Sequence, residues 1–185
     1  MTPDSHDDPR QLPLPTRSSH QEEGRCAFTR ALGAIAARDL AGAEAAFTLS
    51  LSCARDAGDS ADQGRALQGL GLIADHRRNY HLALDRYQQA LECYCNAPFP
   101  TGQMLTQHLI GIVSLRLDRS AAAQHAFTAC RDMAHVIGHL PWYGKACFWL
   151  NKLALAPTEE TTAQQYWSRV LREYEEHGDE TTALA

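Results

Sequence analysis

No run of 18 apolar residues occurs in this 185-residue chain, which excludes a membrane-spanning helix. The first twenty residues lack the apolar core of a signal peptide, so a cytoplasmic chain is expected. Positive charge is not in excess either. The formal net charge is -5, which argues against a nucleic-acid partner. Lysine is nearly missing, since 15 of the 17 basic residues are Arg. That preference reads as coding bias, not as a binding signal. Catalytic signatures are absent as well. There is no G-x-S-x-G, no phosphate-binding glycine loop and no H-E-x-x-H. Gly69-Leu70-Gly71 falls inside a predicted helix and follows no strand, so it lacks the dinucleotide-binding context. Glu159-Glu160 and Glu175-Glu176 read as surface pairs on an acidic helix. No enzyme and no cofactor are expected.

Six cysteines, at 26, 53, 93, 95, 130 and 147, form no disulfide framework, and free thiols are expected. Cys93 and Cys95 stand two apart on a predicted helix. Their side chains point about 200° apart and share a metal poorly. His135 and His139 have the four-residue spacing that metals use, but no third ligand is visible near them, so no metal site is expected.

What is present is a soluble composition, 44% apolar and 21% charged. At this length folding buries roughly 70% of the unfolded surface, so neither metal nor disulfide is required for stability. Charge is unevenly placed. Residues 1–158 carry 15 acidic and 15 basic side chains, whereas 159–185 carry seven acids and two arginines. That acidic segment is expected to be a solvated helix face. Residues 1–21 read as a disordered tail, with Pro3, Pro9, Pro13 and Pro15 set among polar residues. Leu12-Pro13-Leu14-Pro15 has the composition of a polyproline ligand.

From residue 24 the chain repeats itself at a shift of 40 residues. Ala43, Ala83, Ala123 and Ala163 fall in one column. Phe47, Tyr87, Phe127 and Trp167 follow four residues later. Further columns hold Ser50, Ala90, Cys130 and Val170; Leu51, Leu91, Arg131 and Leu171; Ala31, Gly71, Gly111 and Asn151; and Ala34, Ala74, Ser114 and Ala154. The corner column is Gly58, Pro98, Gly138 and Gly178. A fixed period in the range of about 20–50 residues is the signature of a solenoid. The repeats run over 24–63, 64–103, 104–143 and 144–183.

Apolar spacing such as Leu67, Leu70, Ala74 or Ala83, Tyr87, Ala90, Leu91, Tyr94 follows a period near 3.6, and no strand pattern is seen. Eight helices are predicted, at 22–37, 40–57, 61–77, 80–96, 101–116, 120–138, 142–155 and 159–177. Gly71 and Gly111 are expected to face Ala83 and Ala123, so that paired helices approach closely. The aromatic column is expected to fill the gap between hairpins. Trp167, Val170, Leu171 and Tyr174 give the last helix an apolar face for the fourth hairpin to cover. Trp142, Tyr143, Phe148 and Trp149 are assigned to hairpin packing first and a homodimer contact second.

Leu70-Gly71 followed by Ala83, Tyr87 and Ala90 resembles the tetratricopeptide repeat family, over residues 24–183. The chain departs from the common 34-residue repeat. The family's proline after the second helix is missing from Arg55, Cys95, His135 and Glu175. Longer second helices and sharper corners are therefore expected. The resemblance implies an all-α, right-handed α-solenoid of four helical hairpins spanning 22–183. It also implies a non-catalytic module that binds a protein or peptide, like the longer repeats of bacterial signalling and regulatory proteins.

In that family the first helix of each pair lines a concave groove. By resemblance the groove takes Arg25, Phe28, Leu32 and Ile35 from the first copy. The second supplies Arg65, Gln68, Leu72, Asp75 and His76. The third supplies Leu105, His108, Ile112, Leu115 and Arg116, and the fourth Lys145, Phe148, Lys152 and Leu155. A basic row runs Arg25, Arg65, Lys145, broken by Leu105. An apolar row runs Leu32, Leu72, Ile112 and ends in Lys152. A basic edge beside an apolar floor suits an amphipathic or C-terminal peptide. The competing reading makes the apolar row part of the core and leaves the cations solvated. His76, with Arg77 and Arg78, also suits a helix C-terminus, where cations complement the dipole. A dedicated cytoplasmic chaperone that holds one apolar client segment is the alternative function, and a metal-binding or enzymatic role built on the repeat is a third.

Overall fold

The computed structural model describes residues 16–156, 165, 167–169 and 171–172. The tail residues 1–15, most of the acidic segment and the corner at Gly178 lie outside the described residues. Seven α-helices follow one another: α1 Arg17–Ala36, α2 Leu40–Asp56, α3 Ser60–His76, α4 Tyr80–Cys95, α5 Pro100–Arg116, α6 Ser120–Val136 and α7 Leu140–Ala154. Residues 165, 167–169 and 171–172 are helical as well, and no strand occurs among the described residues. The fold is an all-α, solenoid-like stack of helical hairpins. The first seven predicted helices fall within a few residues of the observed ones, and the bounds of the eighth, 159–177, lie outside the described residues. The largest shift is α1, which starts at 17 and not at 22. Thr16 explains it: its side chain accepts from the Ser19 N–H at 3.2 Å, capping a helix just after Pro15.

The structure reveals a finer rhythm than the 40-residue repeat. From α2 onward a helix begins every 20 residues. Each of five corners places one residue in the left-handed region: Arg38, Gly58, Arg78, Asp118 and Gly138. The next residue's N–H then reaches back five positions, as in Asp39 to Ala34, Asp59 to Ala54 and Arg119 to Ser114. Those bonds satisfy carbonyls left over at each helix end. Pro98 cannot take a positive φ. Its corner closes instead through Phe99 N–H to the Ala97 carbonyl at 2.7 Å. First and second helices of the hairpins are of similar length, 20 and 17 residues in α1 and α2, 17 and 16 in α3 and α4, and 17 each in α5 and α6. The lengthening is thus not confined to the second helix of a pair.

Glycine sets the spacing where an aromatic ring lies flat on the opposite helix. A Cβ at Gly111 would stand 2.5 Å from Phe127 Cε1, and one at Gly71 would collide with the Tyr87 ring. These rings pack within their own hairpin as well as between hairpins. Phe127 also stacks on Trp149 of the next hairpin, at 5.6 Å and 7°. Phe47 likewise covers Gly69 of the second hairpin. The core is therefore a chain of local clusters along the stack, each joining neighbouring helices.

Candidate functional site

Beyond chain neighbours, the principal helix contacts join α1 to α3 and α3 to α5. α1, α3 and α5 therefore touch in succession and share one wall of the stack. The predicted groove residues of the first three copies lie on these three helices, and those of the fourth on α7 or at its C-cap.

Its basic row is present, and each cation is held. Arg25 and Arg65 both approach Asp62, at 3.6 Å and 2.7 Å. The Arg65 guanidinium also lies over the Phe99 ring at 4.7 Å. Lys145 Nζ lies over Trp142 at 4.5 Å. Arg65 keeps 42% and Arg25 67% of its side chain exposed, so both can still meet an anionic group. Asp62 was missed in the sequence reading, although its place three residues before Arg65 on one helix is the signal for such a pair.

The next rows divide by depth. Phe28 is half-buried against Phe47, edge to face at 5.4 Å. Gln68 is half-buried. It accepts from the Tyr94 hydroxyl at 3.3 Å, while its Nε2 is buried without a partner. Leu32 is 50% exposed, Leu72 half-buried, and Phe148 is 42% exposed with Lys152 Nζ 5.5 Å from its ring.

His108, Ile112 and Leu115 differ from the expectation. They are 3%, 7% and 1% exposed and belong to the core, so none of them can touch a ligand on the wall. His108 lies edge-on between Trp142 at 4.9 Å and Phe127 at 5.6 Å. Its Nδ1 has no hydrogen-bond partner. Burial, helped by the charge of Lys145, pushes its pKa down to about 3 and keeps the imidazole neutral. Ile112 is covered because Trp167 and Leu171 join one buried cluster with Ile112, Leu115, Phe127 and Trp149. The apolar face of the last helix thus meets the third hairpin as well as the fourth.

Asp75, His76 and Arg116 line one recess of about 820 Å³, closed on its other side by Trp167, Leu171 and Arg172. Asp75 and Arg116 form an ion pair there, largely sheltered from water. Arg116 also lies over the Tyr80 ring at 5.6 Å. His76 is exposed in the last turn of α3. The predicted residues of α1, α3 and α5 therefore form two regions: an exposed stretch along α1 and α3, and a recess between the ends of α3 and α5 and the last helical segment.

Trp149 is fully buried, whereas Tyr143 is 38% exposed. All six cysteines are free thiols. Neither His135 nor His139 belongs to a group of three metal donors among the described residues. Among those residues no helix is long and apolar enough to cross a membrane. No family model matches the chain, and no curated protein matches its sequence.

Proposed function

We propose that this chain is a non-catalytic adaptor of the tetratricopeptide type, working in the cytoplasm, whose wall of α1, α3 and α5 takes up an amphipathic segment of a protein partner. The observation that carries this reading is the open stretch of the wall. Leu32 and Leu72 offer an apolar floor there, and Arg25 and Arg65 flank it as a basic edge. A helical ligand would lay apolar side chains on the floor and carboxylates against the arginines. The covered end of the floor supports the same chemistry. Trp167 and Leu171, four residues apart in a helical segment, are buried with Ile112 and Leu115. A partner helix with that spacing suits the uncovered part. Neither nucleic acid nor a membrane surface is part of the proposal.

The test is capture from the native lysate by the whole chain, read by mass spectrometry, beside Leu32→Asp and the pair Arg25→Glu/Arg65→Glu. All three side chains are substantially exposed, so the variants should keep the wild-type circular dichroism. One protein retained by wild type and reduced at least tenfold by both variants is the expected result. Equal retention by all three would move binding off this wall.

A further inference from the structure

Three metal-ligating groups converge at the open end of the first hairpin. His20 and Glu23 stand three apart on α1 and so share one face. Cys53 reaches them from the last turns of α2. One donor atom from each residue lies within 4.8 Å of the others. Cys53 is buried, His20 half-buried and Glu23 exposed. Tetrahedral zinc, with bonds of about 2.0–2.3 Å, holds its donors about 3.3–3.7 Å apart. Small rotations of His20 and Glu23 close that difference. Gly24 makes the approach feasible, because a Cβ there would stand 3.1 Å from Cys53 Cβ.

The repeat register is a second, independent observation. In the next two hairpins the column of Glu23 holds Gln63 and Gln103. Their side-chain amides donate to the carbonyls of Ala54 at 3.4 Å and Tyr94 at 2.7 Å, one hairpin back. Among the described residues no helix precedes α1 to offer such a carbonyl. A carboxylate stands there instead, beside a histidine and a cysteine. The matching positions in the other two hairpins are Ser60 with Cys93, and Pro100 with Met133. The three donors therefore coincide in the first hairpin and not in the second or third.

We infer that His20, Glu23 and Cys53 form a site for one divalent transition-metal ion of the zinc class, with water in the fourth position. Thiolate and imidazole ligands select zinc-like ions over magnesium or calcium. Burial, then the charges of Glu23 and Asp56, hold the Cys53 thiol above its ordinary pKa. Binding passes that proton to solvent as the sulfur–metal bond forms, and no oxidation state changes. The ion ties α1 to α2 at an end of the stack that no other helix covers among the described residues.

The test uses the full chain, stripped with a chelator and titrated with Zn²⁺ against a chromophoric competitor, then with Co²⁺ for its spectrum. One ion per chain, a thiolate-to-cobalt charge-transfer band and a raised unfolding temperature are expected. Loss of an outer-shell partner alone weakens metal sites by about 10–100-fold. Cys53→Ser should therefore abolish the band, and Glu23→Gln should weaken binding at least tenfold. Glu23 is exposed, so its variant reports even if Cys53→Ser is poorly folded. Cys93→Ser/Cys95→Ser should leave stoichiometry and band unchanged. No bound ion at micromolar zinc, a band that survives Cys53→Ser, undiminished affinity in Glu23→Gln, or loss of the ion with Cys93 and Cys95 would each overturn the site.

Discussion

The two halves of the stack reach the same geometry with different chemistry. In the first half, α2, α3 and α4 start on Asp39, Asp59 and Asn79, whose side chains accept from Gly42, Asp62 and Leu82 N–H groups. In the second half, α5, α6 and α7 start on Phe99, Arg119 and His139, with no side-chain cap. The predicted groove positions change in parallel. Asp62 pairs with Arg25 and Arg65 near the start, whereas Trp142 and Phe148 carry Lys145 and Lys152 near the end. Helix spacing thus comes from corner backbone and ring-on-glycine packing, which both halves share. Caps and wall charges are local choices laid over that frame. The floor follows the same split, open at Leu32 and filled at Ile112.

The shared packing should carry the largest cost. Phe127→Ala removes a fully buried ring sandwiched among Gly111, His108 and Trp149. We expect a loss of about 4 kcal/mol, within the usual range of about 3–5 for such truncations. Phe47→Ala, at the same column, loses a ring with one aromatic partner in Phe28, and we expect about 3 kcal/mol. Urea denaturation of both variants measures the difference. A larger loss at Phe47 would reverse the comparison.

His108 gives its column a titratable group in the third hairpin, where the matching positions of the first two hold Phe28 and Gln68. Its pKa in the folded chain is about 3, below the unfolded value of 6.5. The unfolded chain therefore gains a proton first as pH falls below 6.5. Stability is complete above that value and declines between 6.5 and 3. The slope approaches about 1.4 kcal/mol per pH unit, or roughly 2 kcal/mol between pH 6.5 and 5. His108→Leu removes the buried, unpartnered nitrogen and should flatten the curve over that window. An unchanged slope in the variant would assign the response elsewhere.

Much of this organisation was legible before any coordinates. Columns such as Ala43, Ala83, Ala123 and Phe47, Tyr87, Phe127 repeat because identical helix pairs impose identical packing. Helix ends followed from the same register. The 20-residue half-period was harder to read, since its left-handed corner is Arg, Gly or Asp by turns and only the backbone bond is constant. The wall residues were placed by assuming that every hairpin stands alike. Arg25, Arg65 and Leu72 keep exposed surface, as that assumption requires, whereas His108, Ile112 and Leu115 do not. There the packing depends on Trp142, on Trp167 and on Leu171, long-range neighbours that no column records. The His20, Glu23 and Cys53 cluster was missed for a related reason. Its third donor lies thirty residues away and arrives only when the hairpin closes.

The smallest expected effect sharpens the cap comparison. Asp59→Ala leaves the Asp62 N–H without its 3.0 Å acceptor at the start of α3. Loss of such a cap costs about 1 kcal/mol. The reverse change belongs at Arg119, which begins α6 with similar backbone angles, φ -100 and ψ 65, against φ -94 and ψ 97 at Asp59. Arg119→Asp adds an acceptor for an otherwise uncapped N–H and places negative charge at the positive end of the helix dipole. The corner itself needs no rebuilding, since the Arg119 N–H already bonds the Ser114 carbonyl. We expect a gain of about 0.5–1 kcal/mol in thermal or urea unfolding. A gain at 119 matched by a loss at 59 would mean the two halves differ in caps alone over one backbone. No gain at 119 would mean that the corners are not equivalent, and that the second half depends on aromatic packing for what the first half obtains from its caps.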